Sequence, residues 1–449
     1  MICISRKLRE RLAGDEGLSI VEVMVAMVVF AIIAVGIAGG ITSSLVLSGV
    51  SKSRVAATNL AQQAIDTART TKDVFSLRNA TNAPVSVGGV AYTVSRTANW
   101  ISATGEDVTC GAGTGALAYK RVTVKVAWTD GKRAAQSVSM DTLVAPTSTV
   151  SDEDNGTVVV VVSNALGIGN PGVTVTVTPG TTPNGATTLS AQPGVTDSDG
   201  CAYATNVTPG NYTVKVVSSD GRDPVQATST TKSLTVVQGQ TASQTFTYDT
   251  AATYNLQFPS DTTNPITLPR SLSAVLRHTG TPDVSMGTAT SMKAFPFKEG
   301  YWAVPGTYSA TCTNGDPGAW STPNGTAVSA PQIPVQVLAG ASQPAVPVPM
   351  GVFAVKLSSA LDNAVVATTV TAGGNGDPGC ATTTTYVFAG LSNTARLALP
   401  YGTYTLTEGI GVGSAVTLTL GATPTVTATT GVVPNGNRVM LDPRRVPSS

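Results

Sequence analysis

From Val23 to Ser51 the chain carries no charged side chain, and that run constrains everything the rest can fold into. Roughly 20 apolar residues suffice to cross the hydrocarbon core of a bilayer as a helix. The stretch therefore predicts a helix that lies in lipid or in an equally dry bundle. One acid sits at its head. Glu22 falls one turn inside the helix, where a carboxylate is costly in lipid and is read as functional, with a partner to be named. A cut between Gly17 and Leu18 would supply the partner: an α-amino group on Leu18, about one helical turn from Glu22. Arg6, Lys7, Arg9 and Arg11 precede the cut and predict that this end stays on the cytoplasmic face, with the body of the protein outside.

Taken together, the basic leader, Gly17-Leu18-Ser19-Ile20-Val21-Glu22 and the apolar run resemble the prepilin signature of type IV pilins and type II secretion pseudopilins. The resemblance implies removal of residues 1–17 by prepilin peptidase, N-methylation of the new Leu18 terminus, and pairing of Glu22 with the terminus of a neighbouring subunit. The implied partners are other pilin subunits, the peptidase and the pilus assembly machinery. The implied location is the cytoplasmic membrane, single-pass with the N-terminus inside, and then a filament at the cell surface. An ordinary secretory signal places its apolar segment before the cut, whereas here it follows Gly17 and is retained. The rival reading is a surface adhesin held by an uncleaved signal anchor over residues 20–47, with no filament role. Family members often carry a mid-helix proline; this chain has Gly39-Gly40 there, and Gly36 and Gly40 stand at a spacing that lets membrane helices approach closely.

Past Lys52 the pattern becomes half-apolar. Val55, Leu60, Ala64, Ile65, Ala68 and Leu77 fall on one side, with Lys52, Arg54, Asp66, Arg69 and Lys72 elsewhere, which predicts one stripe facing a core. The helix is expected to end near Arg78, since 79–84 is turn material. Over 118–128 apolar residues recur at every second place, a half-buried strand. Thr129-Asp130-Gly131-Lys132 then predicts a hairpin turn into a run through Val138, Met140 and Leu143. Residues 18–146 thus read as a pilin-like domain, and 147–155 as a linker.

Farther on, Gly, Thr, Val and Ala dominate, charged residues are 12% and aromatics 5% of the chain, so short strands joined by turns are expected. A weak repeat appears in Thr208-Pro209-Gly210-Asn211-Tyr212, Val304-Pro305-Gly306-Thr307-Tyr308 and Leu399-Pro400-Tyr401-Gly402-Thr403-Tyr404. Its period of about 95 residues suits β-sandwich modules, drawn at 156–249, 250–347 and 348–449. Gly169-Asn170-Pro171-Gly172-Val173, Thr196-Asp197-Ser198-Asp199-Gly200 and Tyr212 are similar to the carboxypeptidase-regulatory-like and collagen-adhesin B-type sandwiches of surface proteins. The expected fold class is α+β: a pilin-like long N-terminal helix with a small antiparallel sheet, followed by about three all-β immunoglobulin-like sandwich domains.

The net charge of +1 carries no nucleic-acid footprint. A single His278 and no Cys-x-x-Cys pair leave zinc without ligands, and no cofactor is expected. Cys110, Cys201, Cys312 and Cys380 remain beyond the leader, and four cysteines pair in three ways. The preference falls on Cys312 with Cys380, because each abuts a copy of one turn, Asn314-Gly315-Asp316-Pro317-Gly318 and Asn375-Gly376-Asp377-Pro378-Gly379. Other pairings and free thiols stay open.

Asp197, Asp199 and Gly200 open like a calcium-binding loop, but Ala202 and Thr208 occupy the positions that need glycine and glutamate; a turn is expected instead. Asp152, Glu153 and Asp154 read as a solvated linker. The collagen-adhesin resemblance implies a lysine–asparagine isopeptide bond assisted by a glutamate, with Lys356, Glu408 in Tyr404-Thr405-Leu406-Thr407-Glu408, and Asn435 or Asn437 as its members. Such a reaction needs desolvation to lower the lysine pKa and raise the acid's. The chain has no Gly-x-Ser-x-Gly, His-Glu-x-x-His or P-loop lysine motif, and the expectation is a protein that is not an enzyme. Gly409-Ile410-Gly411-Val412-Gly413 reads as a flexible loop. Bulky outer modules would crowd every lateral position of a uniform filament, which predicts a sparse or tip subunit. Host or surface ligands would meet the loop ends.

Overall fold

Ser19 caps a helix: its hydroxyl accepts from Val21 N at 3.3 Å, satisfying one of the donors a helix start leaves open. Helix α1 (Ile20–Arg69) then runs unbroken for 50 residues. The computed structural model describes residues 19–71, 73–101, 105, 107–108, 110, 119–129, 134–145, 153–321, 332–359, 361–371, 375–412, 415–419 and 421–445. Gly17, Leu18, the Asp130-Gly131 turn and residues 147–152 of the linker lie outside these. The chain is α+β and divides into two compact units: Met1–Ile101 with Ala118–Ser148, and Ser102–Leu117 with Thr149–Ser449.

In the first unit, residues 20–50 of α1 are exposed all round, and the stretch is long and apolar enough to cross a membrane. Its second half buries Ala57, Ala61, Ile65 and Ala68, a one-face spacing whose small alanines let the helix sit close to a sheet. Val55, expected on that face, is 60% exposed. The helix stops at Arg69 and not near Arg78. Thr70 N returns to Asp66 O, the Thr70 and Thr71 hydroxyls both bond Thr67 O, and Asp73 caps a separate 3-10 turn over Val74–Ser76. Val74 and Leu77 still reach the core.

The sheet that receives the helix contains β1 (Ala80–Thr81), β2 (Val85–Val87), β3 (Val90–Ile101), the short β4 (Asp107–Val108), which pairs with β3, β5 (Lys120–Thr129) and β6 (Ala135–Val144). β3, β5 and β6 pair antiparallel. Period-2 alternation puts Tyr92, Val94, Ala98 and Trp100 of β3 and Val122, Val124, Val126 and Trp128 of β5 inside. Across the ladder Tyr92 faces Trp128 and Val94 faces Val126. In β6 the buried parity belongs to Thr142 and Val144, so Leu143 points outward, 56% exposed. Lys120, at the edge of this core, buries its ammonium by donating to Leu77 O at 2.7 Å and lying 5.1 Å over Trp100.

The second unit begins as two packed sheets. β7 (Gly156–Ser163) is flanked by β10 (Cys201–Val207), antiparallel, and β14 (Thr241–Thr247), parallel. Opposite lie β8 (Thr174–Pro179), β9 (Gly194–Val195), β11 (Gly210–Val217) and β13 (Ser229–Val236), in the order β13-β11-β8-β9. Val158, Val160, Val162, Val175, Val177, Val214, Val216 and Phe246 fill the space between. β12 (Gly221–Arg222) pairs with β15 (Asp249–Thr250).

Residues 252–441 continue in further sheets around one hydrophobic cluster, from Ala252 and Tyr254 to Val439 and Leu441. The boundary expected at 347/348 has no counterpart in that core. Ile266–Thr267 adds in parallel to Thr394–Leu399, which pairs with Gly351–Lys356, so the two expected terminal modules share strands as well as core. Gln226, at φ 72, ties the first sandwich to this region: its amide donates to the Tyr301 hydroxyl at 2.9 Å and accepts from Phe295 N at 2.8 Å.

The repeat divides two to one. Tyr212 and Tyr404 each donate from a strand to a carbonyl four residues back, Thr208 O and Pro400 O, both at 2.8 Å. No strand follows the middle copy; after Gly306 the chain turns at Ser309 and Cys312, and Tyr308 stacks 3.9 Å from the Arg277 guanidinium. Gly409-Ile410-Gly411-Val412 is strand and not loop: it lies in Gly402–Val412, where a Cβ on Gly409 would meet Thr417 O at 2.5 Å, so the missing side chain permits the pairing. Tyr404→Phe leaves the buried Pro400 carbonyl without its donor; about 1–3 kcal/mol of stability should be lost, read as a lower unfolding midpoint of the full chain.

Candidate functional site

Glu22 stands exposed in the first turn of α1, where a carboxylate also complements the positive end of the helix dipole. Around and beyond it Ile20, Met24, Met27, Phe30, Ile33, Ile37, Ile41 and Leu45 are all more than half exposed. A helix apolar on every side is stable only when lipid or other helices cover it. Gly36, Gly39 and Gly40 have nothing of this chain within reach of an added Cβ, so they leave the backbone open to a close neighbour. This surface can bundle. Gly17 and Leu18, the expected cleavage point, lie outside the described residues.

Cys312 and Cys380 form a disulfide, and so do Cys110 and Cys201. Sequence reasoning did not single out the second pair; its signal was only that two cysteines remain once the first pair is chosen. Around Cys312–Cys380 the twin turns meet. Asp316 Oδ1 accepts from Gly318 N at 3.0 Å and Asp377 Oδ1 from Gly379 N at 2.8 Å, one Asx turn in each copy. Their other oxygens are taken by Arg277 and by the Thr403 hydroxyl, both at 2.8 Å. Gly376, at φ +85, brings its backbone against Ser321 O where a Cβ would collide.

Arg444 closes the arrangement. It grips the fully buried Asp442 with two bonds of 2.8 Å, donates to Ser321 O and Asn375 O, and lies 5.2 Å over Trp320. A paired guanidinium fork of this kind fixes geometry as well as charge, and its bonds to Asp442 hold the arginine pKa above its ordinary value. Trp320 in turn donates to Asn314 O at 2.7 Å. Every carboxylate oxygen named here is spent on an internal partner, so the cluster braces two loops and leaves no group poised to react.

The isopeptide constellation is not assembled. Lys356 is exposed at the end of its strand, in an open groove with Arg396 and Thr394. Glu408 is fully buried, and its carboxylate accepts from Ser358 N at 2.8 Å and from the Ser358 hydroxyl. Asn435 and Asn437 are exposed in the hairpin ahead of the last strand. An exposed lysine lacks the desolvation the reaction requires. Asp197 accepts from Asp199 N and Cys201 N, an ordinary turn. Among the described residues, no group of three His, Cys, Asp or Glu is placed to hold a metal ion.

No protein-family model matches the chain, and no curated protein does. Among solved structures it is similar to the Bacillus anthracis TIE protein, at 12% identity and a TM-score of 0.21, over 82% of this chain and 76% of that one. It is also similar to a streptococcal ancillary pilin, at 14% identity and a TM-score of 0.20, over 50% of this chain and 74% of that one. Likeness at these TM-scores carries no argument about function.

Two outcomes follow from this geometry. The intact mass of the chain should be lower than its sequence requires by the four hydrogens of two disulfides, with no loss of ammonia. Burial raises the Asp377 pKa above the ordinary carboxylate value. A carboxyl raised on folding contributes stability that is full below its unfolded pKa and is lost as pH rises through the folded one. Compared with Asp377→Asn, the wild type should therefore lose stability between acid and neutral pH, measured by denaturant unfolding across that range.

Proposed function

We propose that this chain is a minor pilin or pseudopilin subunit of a type IV-like surface filament, processed by prepilin peptidase and carrying outer β-modules as a tip spacer or adhesin. One observation carries the reading. A 50-residue helix exposes apolar side chains on all sides over its first thirty residues, holds a single acid in its first turn, and seats its second half on a small antiparallel sheet. One half bundles while the other positions a head. Before assembly the apolar half lies in the cytoplasmic membrane, and assembly moves it into the dry core of the filament.

In that core Glu22 pairs with the Leu18 amino group of an adjacent subunit, which sets the axial register between them. Two disulfides fit a body that matures outside the reducing cytosol. The outer unit, by far the larger share of the chain, crowds lateral positions, which favours the tip or sparse placement along the shaft.

N-terminal sequencing of the mature protein tests the processing. A start at N-methylated Leu18 is expected; a retained Met1 indicates a signal anchor, and loss of the whole apolar run indicates a conventional secretory signal. Glu22→Ala should still insert and be cleaved yet enter filaments at least about tenfold less, since losing one partner of a buried charge pair costs a few kcal/mol. Normal incorporation of that variant, counted by immunogold labelling, overturns the registry.

A further inference from the structure

The segment between β3 and β5 holds β4, which pairs with β3. Its Cys110 is bonded to Cys201, 91 residues further on. We infer that the Cys110–Cys201 bond is a mechanical latch: tension applied between the N-terminal helix and the C-terminus passes from Ile101 through Cys110 to Cys201 and bypasses the chain between them. The bypassed stretch contains β5, β6, the 147–155 linker and β7 to β9. The routing is a matter of covalent connectivity and needs no particular arrangement of the two units. It depends on the filament reading only for the source of the tension.

What the latch spares follows from the sheets. β6 is an edge strand, paired with β5 alone through ten residues from Ala135 to Val144. Pulled at Val144 it would unzip one pair at a time, the easiest way to open an antiparallel ladder. With the latch closed the load arrives instead through β4, a two-residue strand paired with β3, and then at Ile101, the end of β3, which is also paired with β5, β1 and β2. In the second unit the load enters at Cys201, the first residue of β10, which is held by its ladder to β7, the central strand of that sheet, while no tension runs along the covalent chain of β7 itself. Cys312–Cys380 removes a further 68 residues from the extensible chain, and that closed stretch includes both copies of the braced turn.

Opening the latch takes two electrons and two protons. Dithiothreitol supplies them, leaving thiols on Cys110 and Cys201 and becoming a cyclic disulfide itself. After reduction the tension is carried through Val144 and the linker, so the same molecule has a stiff oxidised path and an extensible reduced one.

The test pulls the full chain in detergent between handles fused to its two ends and reads the final, fully extended length. At roughly 3.3–3.6 Å per residue, Cys110→Ala with Cys201→Ala should lengthen the chain by about 300–330 Å, for 91 residues. Cys312→Ala with Cys380→Ala should add about 220–245 Å, for 68 residues, and dithiothreitol on the wild type should add both. Final length is a property of the unfolded chain, so the readout holds whether or not a variant folds. Equal lengths for the wild type and the Cys110/Cys201 double variant, or no gain on reduction, overturn the latch. Neither result bears on prepilin processing or on Glu22.

Discussion

Helix α1 presents an apolar surface that this chain does not cover. Each fully exposed Val, Leu, Ile or Phe forgoes about 1.5–3 kcal/mol of burial, and residues 20–50 expose such side chains on every side. The rest of the first unit is shaped by that demand. The sheet takes only Ala57, Ala61, Ile65 and Ala68, all beyond the apolar run, and its tyrosine and tryptophans fill the space that the alanines leave. The Tyr92 hydroxyl reaches back to Ser53 O at 3.3 Å, just past the last apolar turn. The first thirty residues of the helix therefore stand clear of the sheet.

The outer unit solves a different problem, since a β-rich chain with few charges has little to stop its sheets from sliding or fraying. It pins strand entries with tyrosines bonded to carbonyls four residues back, and it pins loops with buried polar groups that are fully partnered. Buried ion pairs are poor sources of stability but are costly to break, and the Asp442–Arg444 pair is placed where it joins three separate stretches: Ser321, Asn375 and the final turn. Two disulfides then close long spans of chain. These features hold the shape of the second unit through side-chain and covalent ties between segments distant in the chain.

Much of this was legible along the chain because local periodicity reports local environment. An uncharged run means a helix in a dry setting, alternation at 118–128 means a strand with one buried face, and a repeated Asn-Gly-Asp-Pro-Gly means a repeated turn. Where local pattern competes with a cap or a partner strand, it misled. The threonines at 70 and 71 end the helix before its apolar stripe runs out, Leu143 loses the core to Thr142 and Val144 by strand parity, and the glycines at 409 and 411 serve close pairing and not flexibility. Tyr308 copies the repeat in letters, while its ring is claimed by Arg277.

The sequence by itself determined the apolar helix, its single acid, the half-buried strands and the twin turns, because each depends on residues within a few positions of one another. Only the tertiary structure decided which distant segments meet. That Cys110 pairs with Cys201, that Ile266–Thr267 joins the sheet of Thr394–Leu399, that residues 252–441 share one core and that Lys356 stays in solvent while Glu408 is buried are outcomes of packing between segments far apart in the chain. Hydrophobic burial is non-directional; it states that a face must be covered, and only the fit of the assembled sheets selects what covers it.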